Sequence, residues 1–481
     1  MQAPNILLIT TDQQRYDAAG GSGPSFLRTP HYDFLRRCGI TFTRAYADCP
    51  LCVPARTSIM TGNYATTHGL TGNRPTDEFI SRESSLPSQL RALGYATAAI
   101  GKMHFGPERN RHGFDEMILP ADYYRAMDRV SHPWRPMRHG LGQNELYPTM
   151  ATVPEILTLT SWTAEQCVEY IRERRDPTVP FFLWCSFSKP HPPLDPPEPY
   201  YSMYRNAPIP APVIGEWRDT PRCPEAVLRA SQEWSSDLMT TDLLRDAKAA
   251  YYGLITQVDY NMGRVFAALQ DLGLFEETLI IYTSDHGELL GDHKLVAKTF
   301  LFEGATHVPF VLRPPKSWKS KPGSTSSALI THADILPTLV AAAGGRPPKV
   351  DGQDLMAVHR GNITPRKHLF GVSGFANSPF SMGVNDGRWK YIYYPEGADE
   401  QLFDLAKDPT EIEDLAARPV YEKKVLKMRE QIRAWHSKRK TGFTPDDKLP
   451  ILPIRGDTVA ERRANVWPGF HTEHFDKDVR H

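Results

Sequence analysis

Two carboxylates, a histidine and a closely spaced pair of cysteines are the residues of this 481-residue chain whose types and positions could do chemistry together. Asp12 follows the apolar run Asn5 to Ile9, and Asp285 and His286 follow a second such run, Thr278 to Tyr282. If both runs are strands of an open α/β sheet, all three lie beyond the carboxyl ends of strands, where that architecture binds its ligands. Carboxylate oxygens from two strand ends, joined by the Gln13 amide oxygen and a His286 nitrogen, make a set that can hold a divalent cation. Taken singly, Asp12 or Asp285 more often reads as a turn or helix-capping residue. The pairing is what raises them.

The segment Asp48 to Ser58 contains Cys49-x-x-Cys52, the pattern of a redox pair or of half a zinc site. A second such pair is missing from the sequence, which weakens zinc. Pro54 suits the first position of a helix running through Met60 and places Cys52 near its N-terminus, where free N–H groups favour a thiolate, a sulfate or a phosphate.

These residues need a scaffold, and the apolar pattern supplies one. Short runs rich in Ile, Leu, Val and Phe alternate with helical patterns, which predicts an α/β domain whose large, mostly parallel sheet is flanked by helices on both faces. The expected strands are Asn5 to Ile9, Ala96 to Ile100, Pro180 to Phe187, Thr278 to Tyr282 and Pro309 to Arg313. Leu254, Val258, Met262, Val265, Leu269 and Leu272 recur three or four apart on one face of a helix ending near Gly273. Further helices are expected over Thr163 to Arg175, with Cys167, Val168 and Ile171 inward, and over Asp334 to Ala343. After Pro348 the texture changes. Phe380 to Val384, Trp389 to Tyr394 and Gln401 to Leu405 read as strands of a small antiparallel sheet with turns at Asp386-Gly387 and Glu396-Gly397, followed by a charged helix over Val420 to Lys438. The expected division is a catalytic α/β domain over 1–365, a small α+β subdomain over 366–441 and an extended tail over 442–481. That tail reads as an arm on its own domain, a contact to a second copy in a homo-oligomer, or a partly disordered end.

Lys plus Arg and Asp plus Glu each number 56, so the chain has no bulk charge that favours nucleic acid or a membrane surface, and any anion site must be local. No apolar run approaches the roughly 20 residues that cross a bilayer. Met1 to Ile9 lacks the pattern of a signal peptide, which makes the cytoplasm the expected location. Six cysteines are too sparse for a disulfide scaffold, and Cys38, Cys167, Cys185 and Cys223 are expected to stay reduced.

Cys52-Val53-Pro54-Ala55-Arg56, continuing through Thr61-Gly62, resembles the Cys-x-Pro-x-Arg signature of the formylglycine-dependent sulfatases of the alkaline-phosphatase superfamily. Gly94 to His104 is similar to that family's second signature, and Lys189-Pro190-His191-Pro192-Pro193 to its proline-flanked histidine loop. Lys298 to Pro309 is similar to its Lys, Glu-Gly and Val-Pro segment. The likeness extends through Leu402 to Leu405, Asp408-Pro409 and Glu411, and so covers almost everything except the tail. It implies an alkaline-phosphatase-like fold and hydrolysis of sulfate monoesters of small molecules.

The resemblance further implies that a separate maturation enzyme oxidises Cys52 to formylglycine, whose hydrate offers a geminal diol. A serine-like alkoxide would leave a sulfated enzyme that is hard to hydrolyse, whereas a sulfated hemiacetal expels sulfate when its second hydroxyl is deprotonated. By the same likeness Asp12, Gln13, Asp285 and His286, with the modified Cys52, hold one divalent metal, while Arg56 steadies the diol. Lys102 and Lys298 clamp the sulfate oxygens. His104 is then the base that collapses the hemiacetal and His191 the acid toward the leaving oxygen. His68 reads either as a support for Arg56 or Cys52 or as a capping residue.

Gln13 stands where many family members have a second Asp, and His286 where many have Asn. Less negative charge reaches the metal, so Ca²⁺ is the family default and Mn²⁺ a serious competitor. The set also resembles choline-sulfatase-like enzymes, with which the Gly101-Lys102-Met103-His104-Phe105 run agrees, and phosphonate monoester hydrolases. Loops over Asn73 to Glu78, Tyr123 to Tyr147 and Gly374 to Phe380 are expected to wall the substrate pocket, with Asn73, Arg74 and Trp134 available to its alcohol portion. A thiol–disulfide protein using Cys49 and Cys52 is the alternative from a different class.

Overall fold

The computed structural model describes residues 3–73, 80–129, 134–375, 378–463, 466–467 and 470–471. Eight strands form the main sheet: β1 Asn5–Asp12, β2 Ile40–Phe42, β3 Ala96–Gly101, β4 Glu116–Ile118, β5 Phe181–Pro190, β6 Thr278–Ser284, β7 Phe310–Arg313 and β8 Ser324–Ser326. Their order is β4-β3-β5-β1-β6-β7-β2-β8. Strands β4 to β6 are mutually parallel, and β7 runs against both of its neighbours.

Successive residues of β1 show why the sheet is covered twice. Ile6 and Leu8 belong to the apolar cluster on one face, and Leu7 and Ile9 to the cluster on the other. A strand points alternate side chains to opposite faces, so an unbroken apolar run must be buried on both. On one face lie α1 Cys52–Thr61, through Ile59 and Met60, and α4 Ile335–Ala342, through Leu336, Leu339 and Val340. The other face carries α2 Leu159–Glu169 and α3 Thr241–Asp271, with Cys167, Val258, Met262, Val265 and Leu269 inward. Each fully buried Leu, Ile or Val contributes about 1.5–3 kcal/mol.

The long helix α3 begins thirteen residues before Leu254, where its first expected core position lies, because the Thr240 hydroxyl accepts the Leu243 N–H and caps it. Helix α2 starts earlier than expected, at Leu159, and after Glu169 it widens into a π-helical turn over Tyr170–Arg174. Pro54 is the third residue of α1 and not the first: the helix opens at Cys52, after the extended Leu51.

A second, four-stranded antiparallel sheet follows: β9 Leu369–Phe375, β10 Ser378–Asn385, β11 Trp389–Tyr394 and β12 Asp399–Asp404, in that order. Helix α5 Glu422–Arg439 packs Val425, Met428 and Ile432 against Val372, Met382, Val384 and Leu402. Cys49 and Ala65 belong to the same cluster, and Val372 N–H donates to Asp48 O at 2.9 Å, so this sheet backs the segment that leads into α1. Residues 450–463 run over their own chain, with Tyr393 Oη donating to Pro450 O (2.8 Å) and Arg462 paired with Glu225 (2.9 Å). Among the described residues, no helix is long and apolar enough to cross a membrane.

Candidate active site

The register of four strands brings the site together. Thr11 pairs with Ser284, so the next residues, Asp12 and Asp285, emerge side by side, and the Asp285 N–H closes on Thr11 O at 3.2 Å. On the other flank of β1, Asp12 pairs with Pro190, one residue before His191. Gly101 pairs with Ser186, which delivers Lys102. Gly101 sits at φ +100°, and a Cβ there would come within 1.9 Å of Ser186 O. Only glycine permits that approach.

Helix α1 supplies the rest. Cys52 and Arg56 are four residues apart and therefore on one helix face. Cys52 Sγ lies 3.1 Å from His286 Nε2 and 3.8 Å from Asp12 Oδ1. Arg56, fully buried, donates from Nε to Asp285 Oδ2 (2.9 Å), from Nη2 to Asp12 Oδ2 (3.4 Å) and from Nη1 to Ser186 Oγ (2.9 Å). Lys102 Nζ is 2.5 Å from Asp12 Oδ2. Lys298 Nζ donates to the Gln13 amide oxygen, and the side chains of His104 and His191 both reach hydrogen-bonding contact with Cys52. His104 is exposed at the mouth of the site, at φ +60°, whereas His191 is buried.

One ligand atom each from Asp12, Cys52, Asp285 and His286 falls within 4.8 Å of every other, and all four residues are buried. The donor set fits a divalent cation. His286 Nδ1–H donates to Gly287 O at 2.9 Å, which turns Nε2 to the carboxylates; burial opposes a proton there but Asp285 and Cys52 raise its pKa, so a bound cation would take that proton's place. The Gln13 amide oxygen is held by Lys298, and the Gln13 N–H by Asp285 Oδ1 at 3.1 Å.

The electrostatics are those of a site built for anions around a nucleophile. Burial opposes the charged form of Cys52, but Lys298, Lys102 and His286 together hold the thiol well below its ordinary value. Burial would likewise raise Asp12, as would the thiolate, yet Lys102, His191 and Arg56 keep it below the usual carboxylate range. Asp285 goes the other way, raised by burial and by the charge of Asp12. Burial, then Lys298 and Lys102, push His191 down to about 4.

Other residues take quieter places. His68 accepts the Leu70 N–H at Nδ1 (3.2 Å) and meets Ser58 Oγ (3.2 Å), so it holds the end of a turn against α1. Asn73 Oδ1 accepts the Val53 N–H at 3.2 Å and thus braces the start of α1. Trp134 is 46% exposed. Arg74 lies outside the described residues. Cys49 turns away from Cys52, its thiol 3.5 Å from Thr71 O, and burial raises its pKa well above the ordinary value. Sequence reasoning missed Ser186, which accepts from Arg56 and donates to Lys102 O at 2.6 Å, and Glu288, which accepts from the Gln13 amide. Only the position of Glu288, two residues past His286, offered a signal.

The sulfatase family model matches residues 4–345, and the model of the C-terminal part of N-sulphoglucosamine sulphohydrolase matches residues 291–438. An arylsulfatase of Clostridium perfringens is 32% identical over 471 residues, covering 93% of this chain and 97% of the relative. A choline-sulfatase of Rhizobium meliloti is 29% identical, covering 86% and 83%. Among solved structures, the phosphonate monoester hydrolase of Agrobacterium radiobacter superposes with a TM-score of 0.75 at 26% identity, covering 91% of this chain and 96% of that one. The chain belongs to the sulfatase family and, with it, is a hydrolase of sulfuric esters.

Proposed function

We propose that the chain hydrolyses sulfate monoesters of small molecules with a formylglycine made from Cys52 by a separate maturation enzyme, and with one divalent cation held by Asp12, Gln13, Asp285, His286 and the modified side chain. The observation that carries this reading is the meeting of Cys52 Sγ with two carboxylates and Nε2 of His286, ringed by Lys102, Lys298, His104 and His191. Cys52 Sγ stands in for the hydroxyl oxygens of the hydrated aldehyde. The bound cation, Ca²⁺ by family habit or Mn²⁺ for this softer donor set, would supply Lewis acidity that makes a hydroxyl nucleophilic near neutral pH.

The chain's own residues do the remaining work. Arg56 neutralises Asp12 and Asp285 and keeps both oriented. Lys102 and Lys298 accept the sulfate oxygens and stabilise the charge that spreads over them in the transition state. His191 is assigned the part of the acid toward the leaving oxygen. It is neutral in the free protein, and an arriving sulfate, being negative, raises its proton affinity so that it can donate. His104, at the mouth, takes the proton whose loss releases sulfate.

A second reading, hydrolysis of phosphonate monoesters or phosphodiesters with the same nucleophile, is favoured by the likeness to the Agrobacterium radiobacter phosphonate monoester hydrolase. The proposal extends to a cytoplasmic enzyme that assembles into homo-oligomers through its tail. Mass spectrometry of the Cys52 peptide from correctly matured protein tests the nucleophile, and an aldehyde is expected. A reversible disulfide with Cys49 would sink it. Turnover of aryl, choline and sugar sulfates against matched phosphonate monoesters, on protein of known metal content, decides between the two readings.

A further inference from the structure

Glu288 plays no part in the chemistry above, yet it is a carboxylate only 1% exposed, two residues beyond His286. Its Oε1 accepts the N–H groups of Leu290 (3.0 Å) and Ala297 (2.5 Å), and its Oε2 accepts the amide nitrogen of Gln13. The other end of that amide, Oε1, accepts Lys298 Nζ. The Gln13 backbone is equally pinned, at φ +74°, its N–H on Asp285 Oδ1 (3.1 Å) and its carbonyl accepting the Tyr251 hydroxyl (2.7 Å).

The two ends of a primary amide are nearly the same size, so shape does not decide which one faces the cation site. Partners decide it. Turned over, Gln13 would set its oxygen against a carboxylate and its NH₂ against the Lys298 ammonium, and both contacts are repulsive. A second aspartate at this position would need no such control, since either of its oxygens can bind a cation. A glutamine has only one end that can.

We propose that Glu288 is a positioning residue that fixes the Gln13 amide with its oxygen toward the cation site and ties that ligand to the Ala297-Lys298 step. Glu288 thereby completes the exchange of an acidic ligand for a neutral one. The inference rests on the assignment of Gln13 as a metal ligand under Proposed function.

The test is calorimetric titration of Ca²⁺ and of Mn²⁺ into chelator-stripped full-length protein, with Cys52 in the same state in every variant. Glu288→Gln keeps an acceptor for Leu290 and Ala297 but turns a donor toward Gln13. It is expected to weaken cation binding by about 10–100-fold, the usual cost of losing a partner of a metal ligand, with circular dichroism and unfolding midpoint unchanged. In the Gln13→Glu background, where either oxygen can face the cation and the new amide at 288 donates to the new carboxylate, Glu288→Gln is expected to cost no affinity, whereas a merely structural role for Glu288 would cost the same in both backgrounds. Equal affinity in Glu288→Gln and wild type, or an equal loss from Glu288→Gln in the Gln13→Glu background, overturns the inference while leaving the cation site standing. A wild-type protein that takes up neither cation removes the cation site itself, and the inference with it.

Discussion

Two of the buried clusters of charge among the described residues are built to opposite plans. Where the main sheet meets the second one, Lys390 Nζ contacts Glu303 Oε1 (2.6 Å), Glu411 Oε1 (2.8 Å) and Leu301 O (3.0 Å). Glu303 Oε2 meets His307 Nδ1 at 2.8 Å, while His307 Nε2 donates to Thr43 O at 3.1 Å. The Glu303 N–H donates to Glu411 Oε2 at 2.7 Å. Each of these groups finds its partners within the protein itself, although burial and the charge of Glu303 outweigh Lys390 and raise Glu411 to about 7. In the active site Lys102 meets Asp12 at 2.5 Å, Asp12 and Asp285 share a single arginine, and the charges of Lys298, Lys102 and His286 bear together on the thiol of Cys52. Buried charge holds the two sheets together in the first, closed cluster, and in the second, the open one, it gathers around a nucleophile.

Breaking the open cluster should therefore cost rate and not fold. Cys52→Ala is expected to abolish turnover of every sulfate ester tried, with the wild-type unfolding midpoint retained. Lys102→Ala is expected to lower kcat by about 10²–10³, or roughly 3–4 kcal/mol of barrier, as removal of a preorganised oxyanion donor does elsewhere. Steady-state kinetics beside denaturant melts decide both. Full activity in Cys52→Ala is incompatible with the mechanism.

The closed cluster should answer in reverse. Lys390→Met leaves Glu303 and Glu411 facing each other without their cation, and breaking a buried pair in this way costs about 3–5 kcal/mol. Chemical denaturation should register that loss, while kcat/KM well below the melting range stays at the wild-type value. A variant with normal stability and impaired turnover would erase the distinction between the two clusters.

The two clusters also differ in how far the sequence disclosed them. Asp12 and Asp285 were legible because each lies at the carboxyl end of an apolar run, and Cys52 with Arg56 because four residues is one turn of helix. Lys102, His104, His191 and Lys298 came through motif likeness, and the strand register accounts for the meeting of Asp12 and Asp285 with Lys102 and His191. Glu303 and Glu411 fall within the motif likeness, but nothing local shows that they and Lys390 are buried together, since their burial depends on contacts between residues as many as 108 positions apart. Ser186 was hidden for the same reason, inside a strand read only for its apolar partners. Strand β9 escaped because Gly371 and Gly374 interrupt its pattern, and the pairing with β10 that creates it is tertiary.

Asp48, four residues before Cys52, sharpens the comparison by being a lone buried acid. It is 1% exposed, accepts the Ala65 N–H at 2.6 Å, and is approached at 3.4 Å by the hydroxyls of Ser58, on α1, and of Thr331. Burial outweighs the Ala65 N–H bond and moves its pKa from 3.8 to about 6. A folded-state pKa above the unfolded one means that the native state prefers the proton. The stabilisation is fully present below about pH 4 and is lost as pH rises through 6, a change on the order of 2–3 kcal/mol. Asp48→Asn keeps the shape and an acceptor for Ala65 and cannot ionise. The stability of the variant minus that of wild type should thus grow between pH 4 and 7 in favour of the variant, while other titrating groups cancel in the difference. A difference that does not change with pH would mean that Asp48 ionises as freely as a solvated carboxylate, and that a lone acid can be buried here without cost.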